Sequence, residues 1–219
     1  MESALILSAL FAIWAFLHSF LADDHVKSWF RARWPRAYRG YRLIYNLFAI
    51  ISLAPLLWAY WIMPDKLLWR ASDSWQWALL AIQGIGLVGL VWALFHTQVS
   101  EFLGVSQLDP RFDLDHPEPL RIRGLYCWVR HPIYFFSLLL LWFSPQITVN
   151  SLILAILASL YFYFGAKHEE IGLRKAYGPI YDRYRQQTPM LIPRPQNCAR
   201  LQAAISHTNA SSSSPHTHP

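Results

Sequence analysis

Long apolar runs alternate with shorter polar segments along most of this chain. A membrane-spanning helix needs about 20 mostly apolar residues. Four runs meet that length, at residues 3–22, 41–63, 75–95 and 149–166. The first has no basic segment before its apolar part and no small-residue cleavage site after it, so we interpret it as a retained helix rather than a signal peptide. The pattern predicts one membrane domain.

A fifth apolar run, residues 133–143, is too short to cross about 30 Å of hydrocarbon as a straight helix. Pro132 suits the first turn of a helix, and Pro145 suits a turn. We therefore expect a helical hairpin with residues 149–166, its first helix extended backwards through Val129. A re-entrant segment is the alternative.

After the last run the pattern changes twice. Residues 171–185 are typical of an amphipathic helix lying on the membrane, ended by Pro189 and Pro193. From residue 203 the chain is rich in Ser, His and Thr, and we predict a disordered tail over 203–219. The domain is then residues 1–202. The tail histidines could bind a metal weakly, although a solvated tail is the simpler interpretation; they are His207, His216 and His218.

Composition supports this class: 54% of residues are hydrophobic and only 15% are charged, against about 25% charged in soluble domains. The chain has 11 Trp and 11 Tyr residues, and such side chains favour membrane interfaces. The two cysteines, Cys127 and Cys198, lie in neither a metal nor a redox spacing and fall on the predicted cytoplasmic side. We therefore expect no structural disulfide.

The basic residues indicate the orientation. The loops after the first and third long runs and the tail after the last hold 17 of the 19 Lys and Arg residues, leaving only Lys66 and Arg70 elsewhere. By the positive-inside rule these segments are cytoplasmic. The fold class we predict is all-α: a polytopic membrane bundle of about five transmembrane helices, with the N-terminus outside and the C-terminus in the cytoplasm of an inner membrane. Topology and contact with anionic lipid then account for the net charge of +6 without a nucleic-acid partner.

Residues 84–89 match the Gly-x-Gly-x-x-Gly dinucleotide fingerprint letter for letter. That motif requires a preceding strand, whereas these glycines lie inside one apolar run. We interpret them as sites of close helix packing, with Gly89 and Ala93 four residues apart. His18 and Ser19, near the end of the first run, have either a packing or capping role or a ligand or proton-relay role.

Two polar clusters stand at the ends of apolar runs, where charged groups are costly and usually functional. Arg130, His131 and Tyr134 come where a loop enters the short run. Glu169 and Glu170 come where the last run closes, and carboxylates at a helix C-terminus oppose its dipole. A cationic partner, from the protein or from an ammonium-bearing ligand, would offset that cost. Interfacial anchoring is the alternative for Arg130 and Tyr134.

Taken together, these residues resemble the membrane methyltransferase superfamily, which includes isoprenylcysteine carboxyl methyltransferase, phospholipid methyltransferases and bacterial methanethiol S-methyltransferase. The resemblance covers residues 119–194. It rests on Gly124-Leu125-Tyr126, Val129-Arg130-His131-Pro132-Ile133-Tyr134, Glu169-Glu170, Tyr177-Gly178, Tyr181, Tyr184 and Pro189-Met190-Leu191-Ile192-Pro193. The front half resembles the methanethiol S-methyltransferase and NnrU-like branch, at His18-Ser19, Lys27-Ser28-Trp29, Tyr41 to Tyr45 and Glu101 to Gln107.

The resemblance implies an S-adenosylmethionine site on matching positions. The implied cofactor-binding residues are Glu118, Pro119, Leu120, Arg121, Tyr126, His131, Pro132, Ile133, Tyr134 and Glu169. His131 and Arg130 are the catalytic candidates. The family's substrate-binding arginine falls near Gly165, where this chain has none. Lys167 is the nearest cation, so prenylcysteine fits poorly.

The chemistry of the side chains agrees with this ligand. Glu169 can hold the ammonium, Arg130 or helix-start N–H groups can hold the carboxylate, and aromatic rings can face adenine or the sulfonium. A thiol could lose its proton before attack, or His131 could assist. We expect a membrane methyltransferase acting on a small or lipophilic acceptor, with a thiol as first choice, and no metal. The alternatives are a non-catalytic NnrU-like protein that binds a ligand or partner, for example in nitrogen-oxide metabolism, and a structural membrane subunit.

Overall fold

The computed structural model describes residues 2–115 and 120–212 and is almost entirely helical. The helices are α1 (Glu2–Ala22), α2 (Asp24–Arg33), α3 (Tyr41–Ile62), α4 (Asp73–His96), α5 (Val99–Leu103), α6 (Pro132–Trp142), α7 (Val149–Tyr177), α8 (Pro179–Gln187) and α9 (Cys198–Ser212). Single 3-10 turns occur at Ala37–Gly40, Ser106–Leu108 and Gly124–Cys127. Two short strands are β1 (Leu67–Arg70) and β2 (Gln146–Thr148).

Four helical segments are long and apolar enough to cross a membrane, as the apolar runs predicted. They are Glu2–Ala22, Ala37–Ile62, Asp73–His96 and Val149–Tyr177. Most of their large apolar side chains are exposed on the outside of the bundle, which is the arrangement lipid requires. The chain is therefore a multi-pass membrane protein. The fifth apolar helix, α6, has 11 residues and is only about 16 Å long.

Two of the three glycines of α4, Gly86 and Gly89, pack against α6, which confirms the helix-packing interpretation for these two positions. Gly86, Gly89 and Ala93 are buried on one face of α4. A Cβ at Gly86 would lie 3.2 Å from the Leu139 Cβ, and one at Gly89 would overlap the ring of Phe136. The absence of side chains at these positions lets the two helices approach closely.

A second set of contacts joins α1 to α3 and α7. Leu7 is fully buried against Leu56 and Ala59. The indole of Trp14 donates a hydrogen bond to the carbonyl of Ala49 at 3.0 Å. Within the described residues, α7 is thus contacted both by α1 and by α6.

The two strands hold one end of the bundle together. Leu67–Arg70 pairs antiparallel with Gln146–Thr148, with Leu67 opposite Thr148 and Arg70 opposite Gln146. The carboxylate of Asp65 also accepts from the backbone N–H of Asn150 at 3.1 Å. The loop between α3 and α4 therefore lies beside the turn between α6 and α7.

Helix α6 starts later than expected. It begins at Pro132, not at Val129, because His131 already has non-helical φ and ψ. The backbone N–H groups of Arg130 and His131 instead donate to the carbonyls of Pro189 and Met190, at 2.9 and 3.1 Å. These bonds hold the chain extended just before the helix.

Helix α7 continues about two turns past the acidic pair, so the prediction that Glu169 and Glu170 close it was wrong. The expected helix over residues 171–185 is also divided, because α7 ends at Tyr177 and α8 begins at Pro179. Gly178 separates them with φ of +53°, a conformation that glycine adopts at little cost. The polar segment after an apolar run was a continuation of the helix outside the apolar zone, not its end.

The C-terminal segment also differs from expectation. The structure joins Cys127 and Cys198 in a disulfide, with Cα atoms 5.3 Å apart, where sequence reasoning expected none. Helix α9 then runs through residues 203–212, which were predicted to be disordered, because Leu201 and Ile205 pack into a cluster with Ile122 and Cys127. His216 and His218 lie outside the described residues.

We predict opposite effects for alanine at two glycines of α4. Gly89→Ala should lower the free energy of unfolding by about 1–3 kcal/mol, because the new methyl group overlaps Phe136. At Gly84, no atom of the described residues lies within 4 Å of the place that a Cβ would take, so Gly84→Ala should leave stability unchanged or raise it. Thermal unfolding of both variants in detergent micelles measures the difference, and equal midpoints would contradict the packing role.

Candidate functional site

The two polar clusters meet at the end of the bundle opposite the strands, around the buried carboxylate of Glu170. Only 4% of Glu170 is exposed. Its Oε1 accepts from Arg130 Nε at 2.7 Å, and its Oε2 accepts from Arg185 Nε at 3.1 Å. His131 Nε2 lies 3.3 Å from Oε1. The cationic partner expected for this acidic pair is therefore supplied by the protein.

Arg130 is tied to the protein on several sides. Besides Glu170, its Nη1 donates to the carbonyls of Arg185, at 3.0 Å, and of Thr188. Its side chain is 9% exposed. These contacts attach α8 and the segment after it to the start of α6, which makes Arg130 a positioning residue in this geometry.

Glu169 has a different environment from its neighbour. Its side chain is 50% exposed. One carboxylate oxygen, Oε2, accepts from the Tyr134 hydroxyl at 3.1 Å and lies 3.5 Å from His131 Nδ1. The Tyr134 ring stacks between His131 and Phe162, with centroids 5.3 and 5.0 Å away. Glu169 is thus oriented by the protein while part of its carboxylate remains accessible.

His131 links the two carboxylates. Burial lowers the pKa of its imidazole, but hydrogen bonds to Glu169 and Glu170 and their charges outweigh burial, so the pKa is raised above 6.5. A protonated imidazole donates from both nitrogens. In that state His131 orients Glu169 and cannot accept a proton.

A cavity of about 280 Å³ opens beside Glu169. Residues from the second half of the chain line part of its wall: Tyr126, His131, Glu169, Leu173, Tyr177 and Tyr181. Residues from the first half line another part: Arg42, His96, Gln98 and Glu101. The cavity therefore requires both halves of the chain.

Two contacts hold the first-half wall in place. Gly124 adopts φ of +57°, and the His96 ring occupies the space that a Cβ there would fill. With its amide oriented to satisfy both neighbours, Gln98 donates to Glu101 at 2.8 Å and accepts from Arg121 at 3.0 Å. The end of α4 is thereby packed against the segment that carries Tyr126.

Among the described residues, the Tyr181 hydroxyl is a buried polar group of the cavity that lacks a hydrogen-bond partner. Tyr181 lines the cavity and is 1% exposed, yet its hydroxyl makes no hydrogen bond within the part of the chain that the structure describes. The neighbouring Tyr184 hydroxyl, in contrast, donates to the carbonyl of Tyr126 at 2.6 Å. An unpaired buried hydroxyl is costly, and a ligand in the cavity would satisfy it.

The predicted cofactor residues divide into three groups. Leu120, Arg121, Tyr126, His131 and Glu169 line the cavity. Tyr134 supports Glu169, Pro132 is buried at the start of α6, and Ile133 packs beside the core of α4 and α6. Glu118 and Pro119 lie outside the described residues.

Lys167 does not join this group. It is exposed, and its ammonium lies 5.6 Å from the ring centroid of Tyr163, on its own helix. It is not among the described residues that line the cavity.

Sequence reasoning missed several residues of the site. Arg185 donates to the buried carboxylate of Glu170, and the Thr188 carbonyl accepts from Arg130. The cavity is completed by Arg42, His96 and Gln98. Only their predicted position could have indicated them. The loops before the second apolar run and after the third were predicted to lie at the same membrane face as His131, and these loops, together with the first residues of the second run, carry Arg42, His96 and Gln98.

Comparison with known proteins identifies the family of this chain. The family described as NnrU protein matches residues 6–151. The chain belongs to the NnrU family. No solved structure matches it.

Several curated relatives of this NnrU-family chain are methyltransferases by name. Methanethiol S-methyltransferase 1 of Bradyrhizobium diazoefficiens is 29% identical over 88% of this chain and 67% of its own length. Methanethiol S-methyltransferase of Pseudomonas deceptionensis is 31% identical over 84% of this chain and 70% of its own. Nurim of Xenopus laevis is 34% identical over 55% of this chain and 46% of its own.

We predict that substitutions of Glu169 and Glu170 lower the free energy of unfolding by different amounts. Glu170→Gln should lower the free energy of unfolding by about 3–5 kcal/mol, because it leaves buried cations without their counter-charge. Glu169→Gln should cost less than about 1 kcal/mol, because its side chain is half exposed. Thermal unfolding of both variants measures this; similar losses would show that Glu170 does not hold the site together.

Proposed function

We propose that this protein is an integral membrane methyltransferase that moves a methyl group from S-adenosylmethionine to a small or apolar acceptor, with a thiol as the acceptor class. The observation that carries the proposal is the cavity itself. It combines the oriented, half-exposed carboxylate of Glu169 with the buried Tyr181 hydroxyl, which has no hydrogen-bond partner among the described residues. The names of the relatives support the reaction class.

The residues present fit this cofactor. Its ammonium suits Glu169, held by Tyr134 and His131. The Tyr181 hydroxyl is available to a polar atom of the ligand. Arg42 also lines the cavity. We propose it as the partner of the ligand carboxylate in place of Arg130, because the guanidinium of Arg130 donates to Glu170 and to backbone carbonyls.

When bound, S-adenosylmethionine supplies an electrophilic methyl group on a sulfonium. The protein's contribution is orientation and exclusion of water. The stacked rings of His131, Tyr134 and Phe162 hold Glu169 in one position. Aromatic faces at Tyr126 and Tyr177 suit an adenine or a cationic sulfur.

The membrane arrangement we propose has five crossings, with the N-terminus outside and the cavity at the cytoplasmic face of an inner membrane. The strand pairing supports it, because the two loops poorest in basic residues lie together at the opposite end. The polar cofactor would then enter from the cytoplasm, and an apolar acceptor from lipid. A non-catalytic, ligand-binding NnrU-like protein is the competing outcome.

The first test is binding of S-adenosylhomocysteine to the purified protein in detergent, measured by isothermal titration calorimetry. The parent should bind, and Glu169→Gln should weaken binding by at least about tenfold, because a charge-assisted hydrogen bond contributes about 1.5–3 kcal/mol. Lys167→Gln, an exposed position on the same helix, should bind like the parent.

Methyl transfer is then measured with radiolabelled S-adenosylmethionine across small thiols, isoprenoid thiols and lipids. Methylation of a thiol supports the proposal. Tight binding with no turnover on any acceptor would instead favour the non-catalytic protein, and no binding at all would overturn the site.

The Tyr181 and Tyr184 hydroxyls provide a second, matched test. Tyr181→Phe should leave the free energy of unfolding unchanged or raise it, while weakening S-adenosylhomocysteine binding up to about tenfold. Tyr184→Phe should instead lower stability, by about 1 kcal/mol, because it loses its bond to the Tyr126 carbonyl. If Tyr181→Phe binds as tightly as the parent, its hydroxyl does not contact the ligand.

A further inference from the structure

A second polar cluster surrounds His18, within the apolar zone of the bundle. His18 Nε2 lies 2.7 Å from the hydroxyl of Tyr45 on α3. Its ring stacks on Trp14, with centroids 5.1 Å apart at 23°, and meets the Tyr161 ring of α7 edge-on at 6.1 Å. The Ser19 hydroxyl lies 3.2 Å from that of Tyr161. Three helices thus bring an imidazole and three hydroxyls to one place.

This cluster, which we call the His18 cluster (Trp14, His18, Ser19, Tyr45 and Tyr161), adjoins the cofactor cavity through Tyr134. The Tyr134 hydroxyl donates to Glu169, which lines the cavity. The Tyr134 ring also stacks on Phe162, the next residue of α7. Tyr134 therefore connects a residue of the cavity to the part of α7 that carries the His18 cluster.

The His18 cluster is accessible from outside the helix bundle. Ser19 is exposed, and His18, Tyr45 and Tyr161 are half-buried. The neighbouring side chains on α1 are apolar and exposed: Ile13, Phe16 and Phe20 are 58%, 67% and 51% exposed. In a bilayer those side chains face lipid, so an apolar molecule dissolved in the membrane can reach the imidazole without passing through water.

Resting on the function proposed above, we propose that the His18 cluster is the acceptor site and that His18 is the base that removes the proton from an apolar thiol. The Tyr45 hydroxyl lies 2.7 Å from Nε2 and 3.3 Å from Nδ1. In the tautomer we propose, Nε2–H donates to this hydroxyl, which orients the ring, and Nδ1 accepts the proton. A base oriented by a second side chain is the usual geometry for activating a nucleophile.

With His18 as the base, the proton and the electron pairs of the methyl transfer are all accounted for. The S–H proton passes to His18, and the thiolate electron pair forms the new S–C bond. The C–S bond to the sulfonium breaks, and its electrons stay with S-adenosylhomocysteine. Protonated His18 then releases its proton past the exposed Ser19, so the products are a methyl thioether, S-adenosylhomocysteine and one proton.

His131 is less suited to this role. Both of its nitrogens face carboxylates, whereas the titratable groups that face His18 are Tyr45 from α3 and Tyr161 from α7. Neither of these hydroxyls carries a charge near neutral pH. A neutral imidazole in such surroundings is free to accept a proton.

The test compares two thiols of different acidity. With an alkyl thiol such as ethanethiol, which is protonated at neutral pH, His18→Gln should lower kcat/KM about a hundredfold or more, the usual effect of removing a general base. With an arylthiol such as thiophenol, which is largely ionised, the loss should be much smaller. His25→Gln, at an exposed histidine whose side chain is 98% accessible, is the control and should match the parent with both thiols.

Histidine NMR supplies a readout that needs no turnover. In protein labelled with carbon-13 at histidine Cε1 and saturated with S-adenosylhomocysteine, adding ethanethiol should shift the His18 signal and leave that of His25 in place. S-adenosylhomocysteine binding by His18→Gln at parental affinity shows that the variant is folded.

The outcomes separate the two proposals. A parent that methylates neither thiol contradicts the proposed function and the inference with it. A parent that methylates both, with His18→Gln slowing both thiols equally or neither, contradicts the inference alone, as does an unchanged His18 signal.

Discussion

The buried carboxylate of Glu170 is the constraint on which the site depends. It accepts from Arg130 and Arg185 and lies beside His131, so α6, α7 and α8 meet at one pair of oxygens. A buried charge is tolerated only when it is fully paired. Once these segments are held together, the remaining features follow: the segment after α8 runs along the start of α6, and a cavity opens beside the next carboxylate.

The adjacent Glu169 shows how one helix supplies two different chemical environments. Successive helical residues are about 100° apart around the axis, so Glu170 turns into the protein while Glu169 turns to the cavity. Glu170 forms ion pairs inside the protein, whereas Glu169 is oriented by its neighbours and remains half exposed. His131 lies between Glu169 and Glu170, so the buried ion pairs of Glu170 also help to fix the position of the accessible Glu169 carboxylate.

The apolar runs were sufficient to predict four long helices, and the distribution of basic residues was sufficient to predict that His131 and Glu169 lie at the same end. The local pattern of polar and apolar residues was less useful where a change in polarity does not coincide with a change in backbone conformation. A polar segment after an apolar run looks like a helix end, yet α7 continues to Tyr177 and is stopped by Gly178. The four-residue strand Leu67–Arg70 has no alternating pattern because all four residues are exposed. His96 is placed by its packing against Gly124, Gln98 by its bonds to Glu101 and Arg121, and Arg42 by the close approach of its backbone to Gly104. No sequence motif records these tertiary contacts.

Both ends of the short helix α6 are fastened to distant parts of the chain. At one end, Arg130 and His131 are bonded to Pro189 and Met190; at the other, Gln146–Thr148 is paired with Leu67–Arg70. Such a helix can neither slide nor lengthen to match a thicker bilayer, and its packing on α4 limits its tilt. In the proposed arrangement of five crossings, the hydrophobic mismatch at α6 would be absorbed by the lipid, which would thin locally around this side of the protein.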